Sequence, residues 1–429
     1  MFWIMISILL IFTSLYLSKN LFGTYSTPLS LFLLSWNGLF ILSNLKLVNY
    51  YDISTKASSL IILFSVVFFL GSITIAMYFN KVKNSICRSV IENQNKFSNT
   101  NFEGIEKYIT IAVVFSCVSL VLYLVEIYFL IGLRNAIFMN PYQFRSYGAE
   151  LNKLFSYMMI TFSIGGSVLT GIIIARGRKF KFRYLLLLLP SLFRAVLTGE
   201  RIMIIYSILS FIIPLLVIRL RINKRYTKKI KNTLIISIII LTLLFIYVGK
   251  SRDQYASSSV YVTSLYPSIA KVYVYTTGSF VAFSEWLQTW DGKLNYGANT
   301  FTPVFSVLYN LGVINNKSIN LQTVGILEFI NIPFKFNVYT FLKDIINDFG
   351  YLGLTVYGWL LGLISSYVFY KVNLKTNSSL FFDLWLVIIT FYLTFGFIAS
   401  ISTFSSLWYG YIFAFLVLLL TNKKIKIRS

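Results

Sequence analysis

Histidine is missing from this chain altogether. Without imidazole, neither a histidine base titrating near neutral pH nor a histidine-ligated metal can belong to its chemistry. Cysteine is nearly missing. Cys87 falls in a basic loop and Cys117 inside an apolar run, so no disulfide framework can be read. Charge is scarce: charged residues make up 12% of the chain, against about 25% in an ordinary soluble domain. Strict apolar/polar alternation is absent too, which argues against a closed membrane barrel. The opening "MFWIMISILLIF" lacks the positive n-region and small-residue cleavage site of a signal peptide, and reads as a retained span.

What the sequence has instead is hydrocarbon. Of the 429 residues, 57% are hydrophobic, and the mean hydropathy is +0.74. The apolar residues fall in blocks long enough to cross a bilayer core, which takes about 20 residues of helix. Blocks near 2–18, 28–45, 58–79, 108–131, 154–175, 184–198, 202–220, 232–249, 350–370, 379–398 and 404–420 predict an all-α polytopic integral membrane protein. The expectation is about eleven transmembrane helices (10–12) in a single membrane domain over 1–429. Tyr184–Thr198 is short for a full crossing and reads as a broken or tilted span, or as half of a re-entrant hairpin.

Basic residues orient these spans. Lys19, the 80–107 loop, residues 176–183 and 219–232, Lys371 to Lys375 and the C-terminal tail hold 24 of the 38 Lys and Arg, whereas only 4 of the 14 acids, Glu92, Glu103, Glu106 and Asp383, lie on or at that side. That side is taken as cytoplasmic, with the N-terminus outside and the C-terminus inside. It carries +20 of the formal +24, so the high net charge is topology and attraction to anionic lipid rather than a nucleic-acid surface. Residues 250–349 then form one large outer loop, the only extramembrane piece long enough for structure of its own. Its "YPSIAKVYVYTTGSFVAFSEWLQTW" (266–290) spaces Phe280, Phe283, Leu287 and Trp290 as one helical face, which predicts a helix in the membrane interface.

Basic residues left on the outer face call for a reason, because Lys or Arg costs about 2.5–3.5 kcal/mol at a span centre, and less near its ends. Arg194, Arg201, Lys250 and Arg252 form one such set; Arg134 and Arg145 form another. "TGER" (198–201) interrupts two apolar runs. Gly199 permits a tight turn, Arg194 and Arg201 border it, and Glu200 can orient an arginine or act as a base. Two readings stand: an anion site in which guanidinium forks grip phosphate oxygens, or a snorkelling arginine with a helix-end ion pair. In "GKSRDQY" (249–255), Lys250 and Arg252 add positive charge, and Asp253 either tethers Arg252 or takes a proton. In "NVYTFLKDIINDFGYLG" (337–353), Tyr339, Lys343 and Ile346 share one side if the stretch is helical, and Asp344 and Asp348 share a face. Asp348 reads either as an N-cap to the span after Gly350 or as a group positioning a sugar hydroxyl or an arginine. The outer-loop aromatics Tyr266, Tyr273, Tyr275, Trp286 and Trp290 suit an interfacial belt or a platform for glycan rings.

Taken in order, "LTGERIMIIYSIL", "GKSRDQY" and "NVYTFLKDIINDFGYLGLTVYGWLLG" resemble the motifs of bacterial O-antigen and capsule repeat-unit polymerases of the Wzy type, along roughly residues 190–370. The family often has an aromatic residue before Asp-Phe-Gly, where Ile346 and Asn347 stand here. The resemblance implies a multi-pass enzyme of the bacterial inner membrane, similar in fold to GT-C-type lipid-sugar transferases that lack a nucleotide-binding domain. It implies a donor and an acceptor that are both oligosaccharides on undecaprenyl pyrophosphate, joined at the periplasmic face, with a chain-length regulator and a flippase as partners. Departure of a lipid pyrophosphate needs charge stabilisation, which Arg201 and Arg252 would supply with Arg194, Lys250 and Arg145. The acceptor hydroxyl needs a carboxylate, for which Glu200 and Asp253 come first and Asp348 and Asp344 follow. Tyr266, Asn337, Tyr339 and Thr340 complete the expected substrate contacts. No DxD-like metal motif stands out, so no metal and no cofactor is expected. A lipid-linked-glycan flippase would also need a cationic cavity, but transporters tend to place binding charges at mid-membrane. An O-antigen ligase would carry a histidine in its large outer loop, and this chain has none.

Overall fold

A computed structural model describes residues 1–86, 102–139, 153–222, 267–314, 329–374, 380–398 and 403–426, with the single positions 144, 232 and 235. In chain order the helices are α1 Phe2–Phe22, α2 Pro28–Asn44, α3 Thr55–Ile86, α4 Phe102–Leu130, α5 Leu133–Phe138, α6 Lys153–Ala175, α7 Leu188–Thr198, α8 Arg201–Ile222, α9 Pro267–Thr289 and α10 Thr302–Asn310. After a two-residue hairpin, β1 Ile330–Asn331 and β2 Lys335–Phe336, come α11 Leu342–Leu374, α12 Leu380–Phe395 and α13 Ser405–Lys426. Among the described residues six helices are long and apolar enough to cross a membrane, and α2, α12 and α13 are shorter apolar helices. The protein is a multi-pass, all-α membrane protein. The predicted span 232–249, apart from the single positions 232 and 235, lies outside the described residues.

The short 184–198 segment is not one continuous α-helix. Phe182–Leu187 is a 3-10 turn, followed by the eleven-residue α7. Large apolar side chains such as Phe12, Val121, Phe129 and Leu352 stand exposed on their helices, as lipid-facing positions do.

The chain divides into two compact units: 1–96 with 259–378 and 388–405, and 97–258 with 379–387 and 406–429. In the first, Thr27 caps α2 by accepting the Ser30 amide while the Ser30 hydroxyl accepts the Thr27 amide, with Pro28 at the first helical position. α3 and α11 touch along glycines. A Cβ on Gly71 would lie 2.3 Å from the Trp359 carbonyl oxygen, and one on Gly362 would lie 2.2 Å from that of Phe68. Small residues let the backbones meet where lipid offers no hydrophobic drive for association. Beside this seam Trp36 packs on Phe280 and Phe341 at 5.4 and 4.9 Å, and Phe64 packs on Phe341 at 5.2 Å. Each such pair adds about 0.5–1.5 kcal/mol beyond area burial.

Phe280, Phe283 and Leu287 do share a helical face of α9, but that face is buried against protein, with Phe280 on Trp36 and Phe40. Periodicity locates a face, and here neighbouring side chains cover it. Residues 48–54 and the hairpin pack on α9 as well. Tyr50 and Tyr273 stack at 6.0 Å, the Ser54 amide donates to Ser284 Oγ at 2.8 Å, and Ile332 and Phe336 lie in the same cluster.

In the second unit α6 and α8 meet where Pro214 interrupts α8. A Cβ on Gly171 would come within 2.8 Å of both the Phe211 carbonyl oxygen and the Pro214 ring. α6 meets α13 the same way, at Gly165 and Gly410. One ion pair and one ion-pair cluster lie in this unit. Arg176 Nε donates to the fully buried Asp383 carboxylate at 2.7 Å, and Glu106 draws Lys181, Arg178 and Arg183.

Candidate functional site

The "TGER" turn is a helix terminus of defined type. Gly199 closes α7 at φ 62°, the left-handed region that favours glycine. Its amide reaches the Val196 carbonyl at 3.2 Å, and the Glu200 amide reaches that of Ala195 at 2.9 Å, the two bonds of a Schellman motif. Such motifs commonly put an apolar residue where Glu200 stands. Here the carboxylate folds back over α7 and takes Arg194: Nη1 to Oε2 at 2.8 Å and Nη2 to Oε1 at 3.5 Å. Arg194 Nε donates to Ser156 Oγ, from α6, at 2.7 Å. Both members of the pair are half-buried, with side-chain exposures of 19% and 28%. Tyr123 lies within the electrostatic reach of both. Of the two roles open to Glu200, orienting an arginine is the one its geometry displays.

Arg201 opens α8 directly after the turn, and its side chain lies outside the described part. Arg145, Lys250, Arg252, Asp253 and Tyr266 likewise lie outside the described residues.

The other motif belongs to the first unit. Its approach, 337–340, is not helical. The Phe341 amide donates to the Gly396 carbonyl at 2.8 Å, and Leu342 begins α11. This corrects the reading of Tyr339, Lys343 and Ile346 as one helical side. Tyr339 precedes the helix and Ile346 is fully buried, yet Lys343 Nζ still lies 3.9 Å from the Tyr339 ring centroid and 5.8 Å from that of Trp286. Asn337 and Asp344 are half-buried. Thr340 is buried, and its hydroxyl has no hydrogen-bond partner among the described residues.

Asp348 is fully buried and does not cap the helix that follows it. One carboxylate oxygen accepts the Asn299 amide at 3.1 Å and Asn299 Nδ2 at 2.8 Å; the other accepts the Thr300 amide. The Asn347 and Asp348 carbonyls accept the amides of Asn295 and Tyr296 at 2.9 and 3.1 Å. Gly350, at φ 66° and ψ −166°, then breaks α11 so that a new run starts at Tyr351. "NDFG" thus ties down the 295–300 segment. Asn299, Thr300 and Ser156 are residues the sequence reading did not find. The turn-rich "DGKLNYGANT" (291–300) signals a loop, but nothing in it names a partner about 50 residues away.

The fold and these clusters define a multi-pass helical membrane protein with an oriented arginine–glutamate pair at the turn between α7 and α8. Residues 1–331 match the family model described as O-antigen polysaccharide polymerase Wzy, and the chain belongs to that family. Members are glycosyltransferase-like polymerases that act on lipid-linked oligosaccharide repeat units in membranes. The match takes in the Gly199 turn and ends before Asn337. Searches of curated proteins and of solved structures returned no match.

Proposed function

We propose that this polymerase joins repeat units carried on undecaprenyl pyrophosphate at the outer face of the bacterial inner membrane. The growing glycan leaves its lipid diphosphate and passes to a hydroxyl of the next lipid-linked unit. The observation that carries the proposal is the Gly199 turn, where a guanidinium is held in place by a carboxylate and a hydroxyl within the stretch matched to the family. A preorganised donor needs no rearrangement as charge develops, and one well-aimed donor is worth about 3 kcal/mol of barrier.

In this reading Arg194, Arg201, Arg252, Lys250 and Arg145 receive the departing diphosphate. Glu200 holds Arg194, which leaves Asp253 as the first candidate to take the acceptor proton. Asp348 acts as a positioning residue through the 295–300 segment, while Asn337, Tyr339, Thr340, Asp344 and Tyr266 contact sugar. A flippase and a chain-length regulator are the expected partners. The GT-C-type likeness of the fold belongs to the same reading.

The test supplies purified full-length protein in nanodiscs with a lipid-linked repeat unit and resolves the product on a gel. A ladder of increasing repeat number is expected. Translocation of the lipid-linked unit without any ladder would favour a flippase and overturn the proposal.

A further inference from the structure

In the first unit Trp286 and Trp290, two of the aromatics read from the sequence as a belt or a glycan platform, join Tyr351 in one corner. Trp290 stands just past the end of α9 and Tyr351 just past the Gly350 break. Their rings meet at 80°, with centroids 5.3 Å apart, and form a corner. The corner continues inward to Trp286, 6.0 Å from Trp290, and Trp286 in turn faces Lys343. Lys56, in the first turn of α3, places its ammonium 5.2 Å from the Tyr351 ring centroid. Lys56 and Tyr351 are exposed and Trp290 is half-buried. Among the described residues no carboxylate pairs with Lys56, and its ammonium lies over a π face.

The corner is built on fixed supports. The chain between Trp290 and α10 is pinned through Asn295, Tyr296, Asn299 and Thr300 to Asn347 and Asp348, immediately before Tyr351. A ring pair braced at both ends is a preorganised surface and not a loose anchor.

We propose that Trp290, Tyr351 and Lys56 form a subsite for an acidic sugar residue of the glycan. The apolar C–H face of a hexuronate ring packs on the aromatic corner, and its carboxylate meets the Lys56 ammonium. A lipid phosphate would satisfy the ammonium but has no flat apolar ring for the corner. Lys343, at the inner end of the platform, offers a second cation to a longer acidic chain. The assignment rests on the polymerase reading for its occupant, but binding at the corner can be measured without turnover.

The experiment uses full-length protein in nanodiscs of phosphatidylcholine alone. The probes are a tetrasaccharide of alternating glucuronate and N-acetylglucosamine and its carboxyl-reduced counterpart, titrated against tryptophan fluorescence, with Trp290→Phe assigning the signal. Saturable binding at least tenfold tighter for the acidic probe is expected. Lys56→Gln should bring the acidic probe down to the level of the reduced one, and Tyr351→Ala should weaken both about tenfold. Wild-type elution on size-exclusion chromatography shows that each variant is folded. Equal binding of the two probes, no binding, or an unchanged Lys56→Gln overturns the proposal. So does acidic-probe binding that phosphatidylglycerol in the nanodisc abolishes, since the corner would then be a lipid site. A wild-type ladder alongside failed probe binding removes the subsite alone, whereas probe binding without a ladder removes the polymerase reading alone.

Discussion

Replacing Asp348 by alanine should release the 295–300 segment. The side chain is fully buried and accepts three N–H groups, two of them backbone amides. Without the carboxylate the Asn299 and Thr300 amides lose their acceptor in a dry site, and each unsatisfied amide costs about 1–3 kcal/mol. The Asn299 side-chain bond, charge-assisted at 2.8 Å, goes as well. Partial rehydration of the loosened segment recovers part of this, which leaves a local loss of about 3 kcal/mol, or roughly a 150-fold rise in the open population. Hydrogen–deuterium exchange on peptides covering 295–305 should speed up by about that factor, with peptides from α6 and α8 unchanged. Asp348→Asn keeps one acceptor oxygen and should fall between, and Asn299→Ala should reproduce a smaller part of the effect. Unchanged exchange in Asp348→Ala would refute the clamp. So would a uniform acceleration across the whole chain, because the carboxylate would then be holding the fold and not one segment.

Other substitutions test neighbouring parts of the argument. Glu200→Gln should keep polymerisation within about tenfold of wild type, since glutamine still bonds Arg194; a drop of 10²–10⁴-fold, the usual worth of a general base, would make Glu200 the base. Asp383→Leu removes the carboxylate that Arg176 Nε donates to and should destabilise the protein by about 3–5 kcal/mol by thermal denaturation followed on size-exclusion chromatography. The double variant Arg176→Leu/Asp383→Leu should recover most of that loss, and no recovery would mean the pair is not the cause. Gly362→Leu forces a side chain into the Phe68 carbonyl across the α3–α11 seam and should cost about 1–3 kcal/mol or more in the same assay. An unchanged melting temperature would show that the helices separate freely.

Much of the membrane architecture is legible in the sequence because hydropathy acts locally. A run of apolar residues must be helical in lipid, whatever it later packs against. The break at 182–188 and the left-handed Gly199 follow from length and residue type in the same way. The site is only partly legible. "TGER" marks a turn with charge beside it, but that Glu200 folds back on Arg194, and that Ser156 joins them, depends on α6 lying alongside α7. Asp348 shows the limit most clearly. Its spacing before Gly350 favours a cap, and the bonds it makes instead are to residues about 50 positions earlier. The stripe on α9 is legible as a face but its covering is not, because a hydrophobic face has the same period whether lipid or protein covers it.

The central claim is that guanidinium groups beside the Gly199 turn stabilise a departing diphosphate. The most direct measurement is the single-turnover rate of glycosyl transfer from a lipid-linked repeat unit by Arg194→Ala and Arg201→Ala, with Lys228→Ala and Lys229→Ala from the basic run 219–232 as controls. The account predicts a fall of about 10²–10³-fold for each arginine, the usual worth of one oriented donor, and wild-type rates for the controls. Arginine variants that transfer as fast as wild type would contradict it.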